Sequence, residues 1–349
     1  MFDPNTARIF SFSGGGVRGY FASEYLRLML DEWHIGESEL WRYLTLVGGT
    51  SIGAFIACAV ALGIPVSKVT KLFEEKAKRI FTVRTALEVA EFSHNASLDA
   101  NIPNTYEKGV MMLANTPFYS SAYEDSNYGT NVLQSSLIEI FGDLTMKDLK
   151  LHVVVPAWDL VLKRPVIFSN IQSSVFIGQD FKIVDVLRAT SAAPFYFPSW
   201  KVGSMDLIDG GIYHNSPITS LLFANKIINP VSCRVCFMSF GTGHVEHNLS
   251  SLISTKDAHS DMVSRLISLL QASSSGAQLV DELYLKSISK SDVVHSVNSF
   301  FVESILDKDK NPDLDNATPE FMSYLKQKAL DSFQEDFKSR MRFKSKFFA

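Results

Sequence analysis

Three glycine-rich sites hold residue types that can carry out acyl chemistry. Gly49-Thr50-Ser51-Ile52-Gly53 is a G-x-S-x-G sequence placed after a short apolar run and before a helical one. On a sharp strand-to-helix turn this spacing lifts the serine hydroxyl out of the sheet, and small flanking residues avoid clashes with substrate and backbone. A hydroxyl is a poor nucleophile until a base takes its proton, so Ser51 needs a partner. Leu207-Ile208-Asp209-Gly210-Gly211 offers one, since an apolar run delivers a carboxylate into a diglycine turn with little bulk around it. Taken alone, Asp209 reads as an ordinary Asx-turn residue. Gly14-Gly15-Gly16-Val17-Arg18-Gly19 supplies the third part, because backbone N–H groups near Gly15 and Gly16 can stabilise an oxyanion. The three sites together fit acyl transfer: Ser51 attacks an ester carbonyl, Asp209 accepts its proton, and the glycine loop holds the developing charge.

Other readings compete at each site. Gly14, Gly16 and Gly19 also satisfy G-x-G-x-x-G, a dinucleotide fingerprint, which wants an acidic residue at the tip of the next strand to hold the ribose. Leu44-Thr45-Leu46-Val47 runs into Gly48 without one, which weakens the nucleotide reading. Ser51, Asp209 and His214 follow the chain order of a conventional hydrolase triad, though His214 also reads as a pocket residue. Arg18 can either brace the glycine loop by bonding its carbonyls, the role favoured here, or face a substrate phosphate. Cys233 and Cys236 form a C-x-x-C sequence that enters an apolar strand, so buried thiols are expected rather than a redox pair or half a zinc site. His244-Val-Glu-His247 lacks the spacing of a zinc helix, and no metal is expected.

The elements that must position these residues follow from periodicity. Arg8 to Ser13 alternates as a strand and leads into the first glycine turn, and Tyr20 to Trp33 has helical spacing. Leu44 to Val47 then meets the second turn, with a helix over Ile52 to Leu62. Strand, glycine turn and helix repeated in this order predict a parallel α/β sheet. Further strands are expected at Leu151 to Val155, Pro165 to Phe168 and Val235 to Phe240. Residues 91–131 read as an irregular insertion with a short helix around Lys108 to Ala114. Beyond 245 the chain reads as helical segments, the last opened by Thr318 as N-cap and Pro319 as first helical residue. That last helix sets Met322, Leu325, Ala329, Phe333 and Phe337 on one face and ends in Lys338, Arg340, Arg342, Lys344 and Lys346 with Phe347 and Phe348. Such an end can rest on anionic lipid and insert its phenylalanines, or form a packed helix with a solvated basic tail.

Composition sets the remaining bounds. The 349 residues are 46% apolar and 20% charged, enough to bury a large core and unlike a disordered or fibrous chain. Lys and Arg total 33 against 37 Asp and Glu, a net charge of −4, so whole-chain electrostatics give no case for nucleic-acid binding. Three cysteines suggest a reducing compartment, and the start MFDPNTARIF lacks the pattern of a secretory leader, so a cytoplasmic location is expected. Tyr43 to Ser67 carries no charge and is long enough to cross a bilayer, but its glycines and Pro65 divide it into a buried strand, turn and helix.

On these motifs the chain resembles the patatin-like lipid acyl hydrolases, which join an oxyanion loop G-G-G-x-R-G, an elbow G-x-S-x-G and a D-G-G base turn in this order. Ala189-Thr190-Ser191-Ala192-Ala193-Pro194, Asn215-Ser216-Pro217 and Ser239-Phe240-Gly241-Thr242-Gly243 are similar to the family as well. The resemblance implies a three-layer α/β/α fold with a mostly parallel central sheet over residues 8–243, followed by a helical C-terminal segment over 244–349. It implies a Ser51/Asp209 dyad, an oxyanion hole at Gly14, Gly15, Gly16 and Val17, supporting roles for Arg18, Gly49, Gly53, Gly210 and Gly211, and no cofactor. The implied substrate is an acyl ester of membrane phospholipid or galactolipid, met by peripheral membrane contact. An unregulated enzyme of this kind would attack its own membrane, so the 91–131 insertion and the C-terminal segment are candidate lids or effector sites. The layout is similar to bacterial antiviral defence effectors switched on by cyclic dinucleotides, so such an activator, and a homo-oligomer, are expectations by analogy. The alternative is a catalytically silent membrane- or nucleotide-binding protein on the same fold.

Overall fold

The computed structural model describes residues 3, 5–81, 129–178, 180–194, 196–230, 234–244, 262–289 and 297–349. The expected insertion up to residue 128, its short helix, Cys233 and His247 lie outside them. The described elements run β1 (Thr6–Phe12), α1 (Gly19–Trp33), β2 (Leu46–Gly49), α2 (Ile52–Leu62), α3 (Val66–Ile80), α4 (Gly129–Phe141), β3 (His152–Asp159) and β4 (Arg164–Ser169). They continue with α5 (Ile183–Thr190), β5 (Trp200–Val202), β6 (Met205–Asp209), α6 (Ile218–Ile228), β7 (Arg234–Phe240), α7 (Met262–Ser289), β8 (Val297–Val302), α8 (Pro319–Glu335) and α9 (Phe337–Phe347).

The sheet order is β5-β6-β3-β2-β1-β7-β8, with β4 paired to β3. Strands β3, β2, β1, β7 and β8 are parallel, and β4, β5 and β6 are antiparallel additions at one side. β1 is buried along its whole length, as expected of a parallel strand covered on both faces. Its residues alternate between two cores. Phe10 and Phe12 pack with α1, α2 and the C-terminal helices, while Ala7 and Ile9 pack with Ile218, Leu221 and Leu285 of α6 and α7. This is the three-layer arrangement. The uncharged stretch around Ser51 divides as its composition demands into β2, a turn and a wholly buried α2. Among the described residues no helix is long and apolar enough to cross a membrane.

The C-terminal segment departs from its expected form in two ways. It supplies a strand, β8, which pairs in parallel with β7 from Val235↔Val297 to Phe240↔Val302, so the sheet extends past residue 243. The β-branched and aromatic run Val297-Asn-Ser-Phe-Phe-Val302 fits a pleated edge better than a helix. The last helix is also two helices, divided at Asp336, so that Phe337 is exposed while Phe343 and Phe347 are buried. Phe347 packs on Phe10 and Trp33, and Phe348 on Trp33 and Tyr43. Phe347 fills a gap over the sheet and is not available to a bilayer, while Phe348 is half-buried against Trp33 and Tyr43. Arg340, also buried, clamps α9 to α1 by a two-pronged pair, Nε to Glu32 Oε2 at 2.9 Å and an NH2 group to Oε1 at 2.8 Å.

Candidate active site

Ser51 stands between β2 and α2 with φ 54° and ψ −126°, a conformation that an L residue rarely adopts and that persists only where its surroundings enforce it. The two motif glycines explain why it can. A Cβ on Gly49 would strike the Gly53 carbonyl, and one on Gly53 would strike the Phe12 carbonyl. Strand, turn and helix therefore approach more closely than side chains allow. Gly19 has the same reason to be glycine, since a Cβ there would lie 2.7 Å from the Ile52 side chain. The Ser51 N–H donates to Thr190 Oγ1 at 3.0 Å, and Thr190 in turn donates to the Pro156 carbonyl at 2.6 Å, tying the elbow to β3.

Asp209 ends β6 opposite Ala157 of β3. Its Oδ1 accepts the Gly211 N–H at 2.7 Å. Burial raises its carboxyl to about 6, against the downward pull of the Gly211 N–H and the Ser51 hydroxyl that are both directed at it. The raised value follows from desolvation of the charged form, and it leaves the group ionised at neutral pH with a free acceptor toward Ser51.

The glycine loop is more occupied than the sequence suggests. Gly14 N–H donates to the Asn215 carbonyl at 3.0 Å and Val17 N–H to the Leu314 carbonyl at 2.8 Å. Two of the four expected oxyanion donors are thus engaged within the fold. Gly15 and Gly16 are left as donors without a backbone partner among the described residues. Arg18 also differs from expectation. No hydrogen bond from its guanidinium to the loop carbonyls is found among the described residues, its Nε has no partner, and the side chain lines the cavity beside Ser51.

The loop is braced instead by residues to which sequence reasoning assigned no role. Thr242 Oγ1 donates to the Gly14 carbonyl at 3.0 Å, and Asn215 Nδ2 reaches the same carbonyl at 3.3 Å and Gln278 Oε1 at 3.0 Å. Thr50 Oγ1 donates to the His214 carbonyl at 2.8 Å, joining elbow to base turn. Glu303, just past β8, accepts the Gly243 N–H at 2.8 Å. The signal was a polar residue inside a small-residue run, after a strand at Asn215 and Thr242 and at the end of helix α5 at Thr190. His214 turns away from Ser51. Its Nε2 shares a 2.8 Å hydrogen bond with Ser220 and its Nδ1 lies 3.0 Å from Asp281.

Ser51, Asp209, Gly15 and Gly16 open on one cavity of about 160 Å3 whose far wall is apolar, formed by Phe55, Leu72, Phe73, Ile80, Phe81 and Phe197. The arrangement offers a hydroxyl, a buried proton acceptor and two N–H groups without a backbone partner among the described residues, beside a space suited to a hydrocarbon chain.

The sequence model of the patatin-like phospholipase family matches residues 10–222, a range that contains all three glycine sites. The chain belongs to that family. A cGAMP-activated phospholipase from Pseudomonas aeruginosa is 30% identical over 213 residues, covering 61% of this chain and 54% of that protein. Patatin-like protein 1 of Arabidopsis thaliana is 26% identical over 221 residues, 60% of this chain and 49% of that protein. Calcium-independent phospholipase A2-gamma of Mus musculus is 25% identical over 330 residues, 91% of this chain and 38% of that protein. The chain thus spans about half or less of the length of these patatin-like relatives.

Proposed function

We propose that the chain is a serine acyl hydrolase that cleaves fatty acyl esters of membrane phospholipids, with Ser51 as nucleophile and Asp209 as general base. The observation that carries this reading is the ionisable, buried Asp209 directed at the Ser51 hydroxyl at the mouth of an apolar cavity. Ser51 Oγ attacks the ester carbonyl carbon as its proton passes to Asp209. The oxyanion takes hydrogen bonds from Gly15 and Gly16 N–H. Collapse of the tetrahedral species breaks the C–O bond to the glycerol oxygen, which leaves with the proton from Asp209. Water, deprotonated by Asp209, then attacks the acyl-Ser51 ester and releases the fatty acid, restoring the hydroxyl. Gly14 and Val17 act as scaffold rather than donors while Asn215 and Leu314 hold them. Gly49, Gly53 and Gly210 allow the close backbone approach, and Gly211 supplies the N–H that Asp209 accepts.

Control by a cyclic dinucleotide is the regulatory part of the reading. It is supported by similarity to the cGAMP-activated phospholipase, and by the Leu314 carbonyl on the Val17 N–H with the Leu314 side chain lining the same cavity. An effector that draws residues 307–316 away would free a donor and widen the entrance. The test is fatty acid release from mixed phospholipid vesicles by the chain and by Ser51→Ala, each with and without a panel of cyclic dinucleotides. Release that disappears in Ser51→Ala supports the hydrolase, and dependence on one nucleotide supports the switch. If both proteins released equal amounts under every condition, the reading would be wrong.

A further inference from the structure

Turns that join strands at a protein surface are ordinarily polar. Between β3 and β4 the chain instead runs Leu160-Val161-Leu162, and these side chains are 42%, 62% and 57% exposed. Single exposed aliphatics are common, but three in succession at a loop tip form a patch. The tip is firmly built. Buried Asp159 accepts the N–H of Val161 at 2.9 Å and of Leu162 at 3.3 Å, the Leu160 N–H donates to the Asp206 carbonyl at 2.8 Å, and Lys163 closes the turn at φ 51°. The fold therefore holds three aliphatic groups in water with an ordered backbone.

Its place relative to the site follows from the sheet. β1, β2 and β3 are parallel, so their carboxyl ends share one edge, and Ser51 follows β2 at that edge. Asp209 pairs with Ala157. Leu160 lies three residues further along, so the tip stands about 10 Å beyond the base in the direction in which β3 runs. Lys163 and Arg164 follow at once, both exposed, and the one carboxylate within the turn's own sequence, Asp159, is buried beneath it, with half-buried Asp206 beside it on β6.

We propose that the β3–β4 tip is the element by which this protein docks on a bilayer containing anionic phospholipid. Leu160, Val161 and Leu162 enter the acyl boundary while Lys163 and Arg164 pair with phosphates, the division of labour of interfacial anchors. The inference rests on the proposal that bilayer phospholipid is the substrate, since docking here brings a membrane to the edge where Ser51 stands. A second copy of the chain is the weaker occupant, because a two-fold contact through this tip would set Lys163 and Arg164 of one copy against the same cations of the other.

The test is vesicle flotation in a Ser51→Ala background, where docking is read without hydrolysis, using phosphatidylcholine with and without phosphatidylglycerol. The intact tip should associate, more strongly with the anionic vesicles. Replacing Leu160, Val161 and Leu162 together by serine should lower association on the order of tenfold or more. Val161→Trp should raise it, and Lys163→Glu with Arg164→Glu should remove the preference for anionic lipid. With Ser51 in place, the triple-serine variant should keep its turnover of a monomeric short-chain ester and lose it on vesicles. Flotation that is absent in the intact chain or unchanged by the serines would overturn the proposal. So would a change of mass in solution with vesicle association intact, which would make the tip an interface between copies. Failure of the hydrolase reading looks different: the tip variants would still alter flotation while no ester is cleaved by any of them.

Discussion

The elbow around Ser51, at the carboxyl end of β2, and the terminal helix α9, seated by the amino ends of β1 and β7 through Arg8 and Cys236, fix opposite ends of the sheet by opposite means. The elbow works by absence. Gly49 and Gly53 let three backbone segments approach within distances that no Cβ tolerates, and the result is a serine held at φ 54°. Helix α9 works by bulk, with Phe343 and Phe347 seated among Phe10, Trp33 and Phe300 and Arg340 clamped on Glu32. Glycines separated by fixed short intervals are visible along a chain, whereas a ring that fills a gap some 300 residues away is not. The difference also separates chemistry from stability: a change in the elbow or at its base should abolish turnover in a folded protein, and one in α9 should loosen a protein whose site chemistry is intact.

The strongest way to sharpen that contrast is at Asp209. Asp209→Asn should lower turnover roughly 10^4-fold, the upper end of what an aligned proton acceptor contributes, with the melting temperature preserved. The pH dependence has a definite sign. The carboxyl is raised to about 6 and must be ionised to accept the proton, so kcat/KM rises up to about pH 6 and then levels off, falling about tenfold per pH unit below it. Initial rates on a soluble ester between pH 4.5 and 8 measure this. His214→Gln should keep the acidic limb, because His214 is engaged with Ser220 and Asp281; its loss would transfer the base role away from Asp209.

The complementary prediction lies in α9. Phe347→Ala removes a fully buried ring and should cost about 3–5 kcal/mol, read as an earlier midpoint in denaturant with the same slope. The elbow should keep its reactivity: a serine-reactive fluorophosphonate should label Ser51 in the folded fraction at the wild-type rate. Destabilisation under about 1 kcal/mol, or labelling that disappears in fully folded protein, would break the comparison.

What was legible in the sequence follows the same division. The strand and helix on either side of Ser51 were readable from periodicity, and the G-x-S-x-G and D-G-G turns from spacing, because each is a local constraint. The strand β8 was not, since six residues of mixed alternation become a strand only when β7 offers an open edge. The break at Asp336 is not legible because the apolar spacing continues through Phe337, and the contacts that accompany it, Tyr25 with Asp336 and Arg340 with Glu32, come from distant α1. The engagement of Val17 by Leu314 joins residues far apart in the chain, and no local pattern announces a backbone carbonyl as a partner. Burial of Phe347 was legible only as one of two outcomes, because an aromatic beside lysines suits either a core or a membrane.

Thr242 tests how far the C-terminal half of the sheet supports the glycine loop. It lies just past β7, whose neighbour β8 belongs to the C-terminal segment, and its hydroxyl donates to the Gly14 carbonyl at 3.0 Å. Thr242→Val keeps the shape and removes that donor, leaving Asn215 at 3.3 Å as the remaining side-chain donor to that carbonyl among the described residues. The stability cost should be about 1 kcal/mol, the net worth of one neutral hydrogen bond. The catalytic effect should be a few-fold fall in kcat with KM nearly unchanged, because a looser Gly15 and Gly16 bind the oxyanion less well while the acyl wall is untouched. A fall confined to KM would place Thr242 in substrate binding instead, and an unchanged kcat would mean that the oxyanion loop is held by the elbow alone, without support from the C-terminal half of the sheet.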